Sequence, residues 1–106
     1  MLIACLSNQK KNNMNGKVLL EYWKDRYDSL YSVNRDLFGI PKHNKEWYTR
    51  RDSIARVIYL LKESEDINEE QSKNLLKMLH SPDESNWTVV ECVIETINTD
   101  KQLPDE

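Results

Sequence analysis

Glycine and proline are scarce in this chain, 2 and 3 of 106 residues. An all-β domain leans on both types to make its many turns, so their scarcity argues against a sandwich or barrel and favours helices. It also leaves no glycine-rich loop to cradle a phosphate and no glycine to turn a calcium loop. Cysteine is equally sparse. Cys5 and Cys92 carry no spacing pattern, so they read as reduced thiols of a cytoplasmic protein rather than as a disulfide framework. No apolar run approaches the roughly 20 residues a bilayer-spanning helix needs, so no membrane partner is expected. Leu2-Ile3-Ala4-Cys5 has the form of a lipoprotein cleavage box. A working signal needs a basic segment and a longer apolar run ahead of it, and only Met1 and Leu2 are available. Histidine is limited to His43 and His80, and neither pairs by spacing with Cys92 or a carboxylate. No nucleophile–base pair or metal-ligand set follows, so the expectation is a non-enzyme without cofactor or metal.

What the chain does have is one domain's worth of amphipathic helix. Hydrophobic residues make up 39% and charged residues 31%, which suits a single core under a solvated surface. The net charge of −3 conceals a division. Residues 1–62 carry 12 Lys/Arg against 6 Asp/Glu, and residues 63–106 carry 3 against 12. A basic half joined to an acidic half implies intramolecular attraction, head-to-tail self-association, or two faces with different partners.

Four helices can be drawn. Residues 1–16 are a polar, Asn-rich lead-in behind an apolar hexapeptide, and are expected to be flexible. The first helix runs from about Lys17 to Phe38, with Leu20, Trp23, Tyr27, Leu30 and Leu37 stepping along one face. Gly39 suits the left-handed position after it, Ile40 supplies the following apolar contact, and Pro41 prevents continuation. Asn44 offers a cap to a second helix over Lys45–Glu63, whose stripe is Trp47, Ile54, Val57, Ile58 and Leu61. Asn68 and Gln71 make a capping box for a third, with Leu75, Leu76 and Leu79 facing inward. A fourth spans Pro82–Asn98 and buries Trp87, Val90, Val93, Ile94 and Ile97, with Cys92 buried among them. At its start Ser81 is the expected N-cap, Pro82 the first helical residue and Glu84 the partner of a second capping box. A connection this short folds the last two helices back on each other. Residues 17–99 therefore form a helical domain, and residues 100–106 a flexible tail. The fold class is all-α, either a compact antiparallel four-helix bundle or two stacked helical hairpins.

The run Leu75–Ile97, with Ser-Pro-Asp between an apolar helix end and an apolar helix start, resembles one repeat of HEAT-like helical proteins. It covers about a fifth of the chain. In that family stacked hairpins make protein-binding surfaces, so the resemblance implies a scaffold and brings no catalytic residues.

Two stretches could carry recognition. The second helix opens with cations interleaved with aromatics, Lys45, Trp47, Tyr48, Arg50 and Arg51. That pattern suits an interface with a protein or, alternatively, phosphate contacts with base stacking on a nucleic acid. The plain reading is a solvated helix face with one core tryptophan. Three tryptophans and five tyrosines against one phenylalanine add to the interface reading, because both types are frequent at contact surfaces. Tyr22, Tyr31, Tyr48 and Tyr59 fall beside the core stripes, and Tyr31 joins the candidate surface. Bundle-edge packing would use them equally well. The acids Glu63, Glu65, Asp66, Glu69 and Glu70 suit a helix N-terminus, or an immunity-type inhibitor that plugs a basic site. The expected function is protein–protein interaction by a small non-enzymatic helical protein (adaptor, inhibitor or immunity-type). Nucleic-acid binding is the alternative, and a homo-oligomer is a further option.

Overall fold

The structure is a computed structural model, and it describes residues 15–98. The readings placed on residues 1–14 and 99–106 lie outside the described residues. Among the described residues there are four α-helices: α1 (Gly16–Asn34), α2 (Lys45–Glu63), α3 (Glu69–Leu79) and α4 (Glu84–Glu95). A short 3₁₀ turn over Lys42–Asn44 precedes α2. Among the described residues none of the helices is long and apolar enough to cross a membrane.

Each helix ends where its local chemistry dictates, with two exceptions. Asn15 and Gly16 begin the fold rather than ending the lead-in, since the Asn15 side chain accepts from Val18 N at 3.0 Å and caps α1. The first helix stops at Asn34, short of the expected Phe38, and the chain beyond it closes in a turn that ends on the expected glycine. Gly39 is left-handed at φ 69°, its N–H donates to Asp36 O at 3.2 Å, and Ile40 N–H donates to Arg35 O at 2.9 Å. The Asn68–Gln71 capping box forms in both directions. The first exception is Asn44, whose side chain makes no capping bond because the 3₁₀ turn leads straight into α2. The second is Ser81. The N-cap of α4 is Asp83, which accepts from Ser85 N at 3.0 Å, and Pro82 stays outside the helix. Ser81 is drawn off the helix because its carbonyl accepts the buried Trp87 indole N–H at 3.2 Å. Its hydroxyl meanwhile accepts from Asp83 N and Asn86 Nδ2.

The helices pack as an antiparallel bundle. Tyr27 meets Arg56 and Tyr31 meets Asp52 between α1 and α2, while Gly16 meets Ile97 and Lys24 meets Glu91 between α1 and the end of α4. The core is Leu19 and Leu20 of α1, Ile54, Val57, Ile58 and Leu61 of α2, Ile67, Leu75 and Leu79, and Trp87, Val90 and Ile94 of α4. Closure rests on a glycine. A Cβ on Gly16 would lie 1.9 Å from the Ile94 carbonyl oxygen, and Gly16 N–H donates to Ile97 O at 2.8 Å. Only a residue without a side chain lets the first helix start against the last one.

Five residues are placed differently from expectation. Leu30 and Leu37 are exposed while Tyr31 is buried, because α1 turns Tyr27 and Tyr31 toward α2 and its helical register ends before Leu37. Val93 and Cys92 are also exposed, because α4 is covered only along the narrow stripe Trp87, Val90 and Ile94.

Candidate functional site

The six residues expected to bind a partner lie where α1, α2 and α4 meet, and most of them point at one another. Tyr31 is 5% exposed, and its hydroxyl donates to Asp52. Asp52 also accepts from Arg51 Nε and Nη2, each at 3.1 Å. The Arg51 guanidinium then lies over the rings of Trp47 and Tyr48, at 4.9 and 5.2 Å. Trp47 packs against Trp87 with ring centroids 5.1 Å apart, and Arg50 covers the Trp87 ring at 5.5 Å. Lys45 is turned back to α1, with Nζ 2.6 Å from Asp28 Oδ1 and 3.0 Å from Ser32 Oγ.

Arg50 is the centre of the arrangement. Its Nε and Nη2 donate to the two oxygens of Glu91 at 3.1 and 3.0 Å, Nη1 to Glu84 at 3.2 Å, and Nη2 also to Thr88 at 3.1 Å. Lys24 approaches Glu91 from α1 at 3.3 Å. The basic half of the sequence thus grips the acidic half within one molecule. The Glu91 side chain is only 14% exposed. Burial by itself would raise its pKa, but the bonds from Arg50 and the charge of Lys24 outweigh that and hold it below the ordinary carboxylate range. The bond to Glu91 correspondingly raises Arg50. Tyr31 is raised well above a free phenol, first by burial and then by its bond to Asp52, so it stays neutral and keeps donating.

This geometry changes what the stretch can do. Phosphate contact needs cations that are free to reach out, whereas Lys45, Arg50 and Arg51 each hold a carboxylate. Lys45 and Arg50 thereby fasten α2 to α1 and α4, whereas Arg51 pairs with its own neighbour Asp52 within α2. Tyr48 and Arg51 keep partial exposure, as do Lys45, Trp47 and Arg50, while Tyr31 is buried.

A surface that the sequence pattern hid lies beside them. Val33 is 80% exposed, Leu37 82%, Phe38 50% and Leu30 37%, all at the foot of α1. The Phe38 ring rests edge-on against the buried Tyr31 at 5.6 Å. Leu30 and Leu37 keep helical spacing in the sequence, which reads as core, but the helix ends at Asn34 and both stay exposed. Among the described residues no group of His, Cys, Asp and Glu is placed to hold a metal ion. The chain matches no protein-family model, no curated protein and no solved structure.

Proposed function

We propose that this chain is a small helical binding protein, an adaptor, inhibitor or immunity-type factor, that works in the cytoplasm by contacting another protein rather than by catalysis. The observation that carries the reading is the end of α1 and the turn after it, where Leu30, Val33, Leu37 and Phe38 are each exposed. A concentration of exposed large apolar residues of this kind is what an interaction site would use. Arg35, Asp36 and Lys42 border the foot in sequence, so its charge is mixed and the partner that fits is a protein presenting an apolar segment. Tyr48 and Arg51 extend the surface toward α2, and both residue types serve as interface anchors. The HEAT-like hairpin of α3 and α4 agrees with a scaffold role.

Affinity capture from the native host tests the proposal, with the wild type compared against Val33→Asp/Leu37→Asp as bait. Both sites are exposed, so circular dichroism should find the variant folded. A protein carrying an exposed apolar segment, kept by the wild type and lost by the variant, is expected. Equal retention by both removes the α1 foot from the account. Gel shifts over a salt series cover the nucleic-acid alternative. Phosphate binding would weaken steeply as salt rises, and a shift of that kind would displace the protein-partner reading.

A further inference from the structure

Arg56 differs from the other cations singled out on α2. Lys45, Arg50 and Arg51 each hold a carboxylate, whereas among the described residues Arg56 pairs with none. Its guanidinium is held in place all the same. It lies over the Trp23 ring at 5.0 Å, and Nε donates to the Tyr27 hydroxyl at 3.3 Å. Both of those partners belong to α1, so α1 positions a cation of α2 without neutralising it. Arg56 is exposed, and its Nη1 and Nη2 find no acceptor among the described residues. The edge they form can donate two parallel bonds to a planar oxyanion. Beside it lies a groove of about 270 Å³ lined by Tyr27, Asp52, Ala55, Arg56 and Tyr59, the last of them 53% exposed.

We propose that this groove between α1 and α2 takes an acidic side chain of a protein partner. Nη1 and Nη2 of Arg56 grip its carboxylate, and an apolar residue next to it lies against Tyr59. The proposal rests on the protein-partner reading above and adds a second contact, made of residues that the α1 foot does not share. Two observations favour a single carboxylate over a nucleic acid. Trp23 already carries Arg56 and Arg26, and Tyr27 packs on Trp23 and Tyr31, so both rings are engaged within the molecule. Base stacking needs open rings. Asp52 lines the groove and Glu63 accepts from the Tyr59 hydroxyl at 3.0 Å, so a chain of phosphates would meet two carboxylates. An arginine already fixed by a ring and a hydroxyl also loses less side-chain freedom on binding than a loose one.

The test is a titration of the full chain, followed by its arginine Nε–H and indole N–H resonances. The probe is acetyl-Phe-Glu-amide, matched by the neutral acetyl-Phe-Gln-amide. The acidic probe should shift the Arg56 and Trp23 signals saturably. The neutral probe should bind about tenfold more weakly, the effect of one charge-assisted hydrogen bond. Arg56→Gln, at an exposed position, should bind both probes alike, with circular dichroism reporting its fold. If that variant unfolds, the comparison of the two probes on the wild type decides alone. Equal binding of the two probes by the wild type would overturn the proposal. So would discrimination kept by a folded Arg56→Gln, or no response at millimolar concentration. Tighter binding of oligothymidylate that weakens steeply with salt would overturn it in favour of a phosphate contact. Since the probe is not the captured partner, this contact and the α1 foot stand or fall separately.

Discussion

Gly16→Ala should destabilise the bundle even though alanine is the better helix former. The added Cβ would sit 1.9 Å from Ile94 O, 2.8 Å from Ile94 C and 2.9 Å from Ile94 Cγ2. Restoring ordinary contact requires α1 and α4 to part by about 1.5 Å, since attractive carbon contacts lie near 3.5 Å. Overpacking of this kind costs about 1–3 kcal/mol. The shift also strains the Gly16 N–H to Ile97 O bond of 2.8 Å, worth about 1 kcal/mol. Alanine's helix preference returns up to about 1 kcal/mol, leaving a net loss of about 1–3 kcal/mol. Urea unfolding followed by tryptophan fluorescence measures it, with an unchanged denaturant slope marking a change in the native state. Gly39→Ala is the control, because a Cβ there has nothing within 4 Å and only the left-handed φ of 69° opposes it. It should lose about 1 kcal/mol from backbone strain alone. A Gly16→Ala protein as stable as the wild type would refute the close α1–α4 approach.

Glu65 holds a left-handed φ of 65° at the end of α2, where Asp66 N–H closes on Leu61 O. Glu65→Gly should therefore raise the thermal midpoint, by a gain of about 0.5–1 kcal/mol, and a loss would contradict the strain. Trp87 is 1% exposed and packs on Trp47, so Trp87→Ala should lose about 3–5 kcal/mol in the same urea assay. Glu91 binds its proton more weakly folded than unfolded. Its contribution is thus complete above the unfolded value, about 4.3, and disappears as pH falls through the lowered folded value. Glu91→Gln should flatten that acid limb in urea titrations taken across pH, and an unaltered limb would place the acid sensitivity elsewhere.

Local signals were legible in the sequence. The Gly39-Ile40-Pro41 stop, the Asn68–Gln71 box, the span of α2 and the burial of Trp87, Val90 and Ile94 need only neighbouring residues to be read. Choices between two adequate local answers were not. Ser81 and Asp83 are both good caps, and the decision came from the Trp87 indole seeking a carbonyl. Leu30 and Tyr31 are adjacent, and Asp52 across the interface made the phenol the one to bury. The candidate site was legible as a cluster but not in its use. Arg50 finds its carboxylates 34 and 41 residues away, a pairing that no local pattern encodes. Cys92 and Val93 read as core because periodicity cannot tell how wide a neighbouring helix will be.

The central claim is that Lys45 and Arg50, at the opening of α2, are fasteners rather than an open charged surface. A double-mutant cycle on Arg50→Ala and Glu91→Ala measures it directly. The paired, largely buried geometry predicts a coupling of at least about 1 kcal/mol, within the range of charge-assisted hydrogen bonds. A coupling near zero would mean that Arg50 is free to serve an outside partner, and would contradict the account.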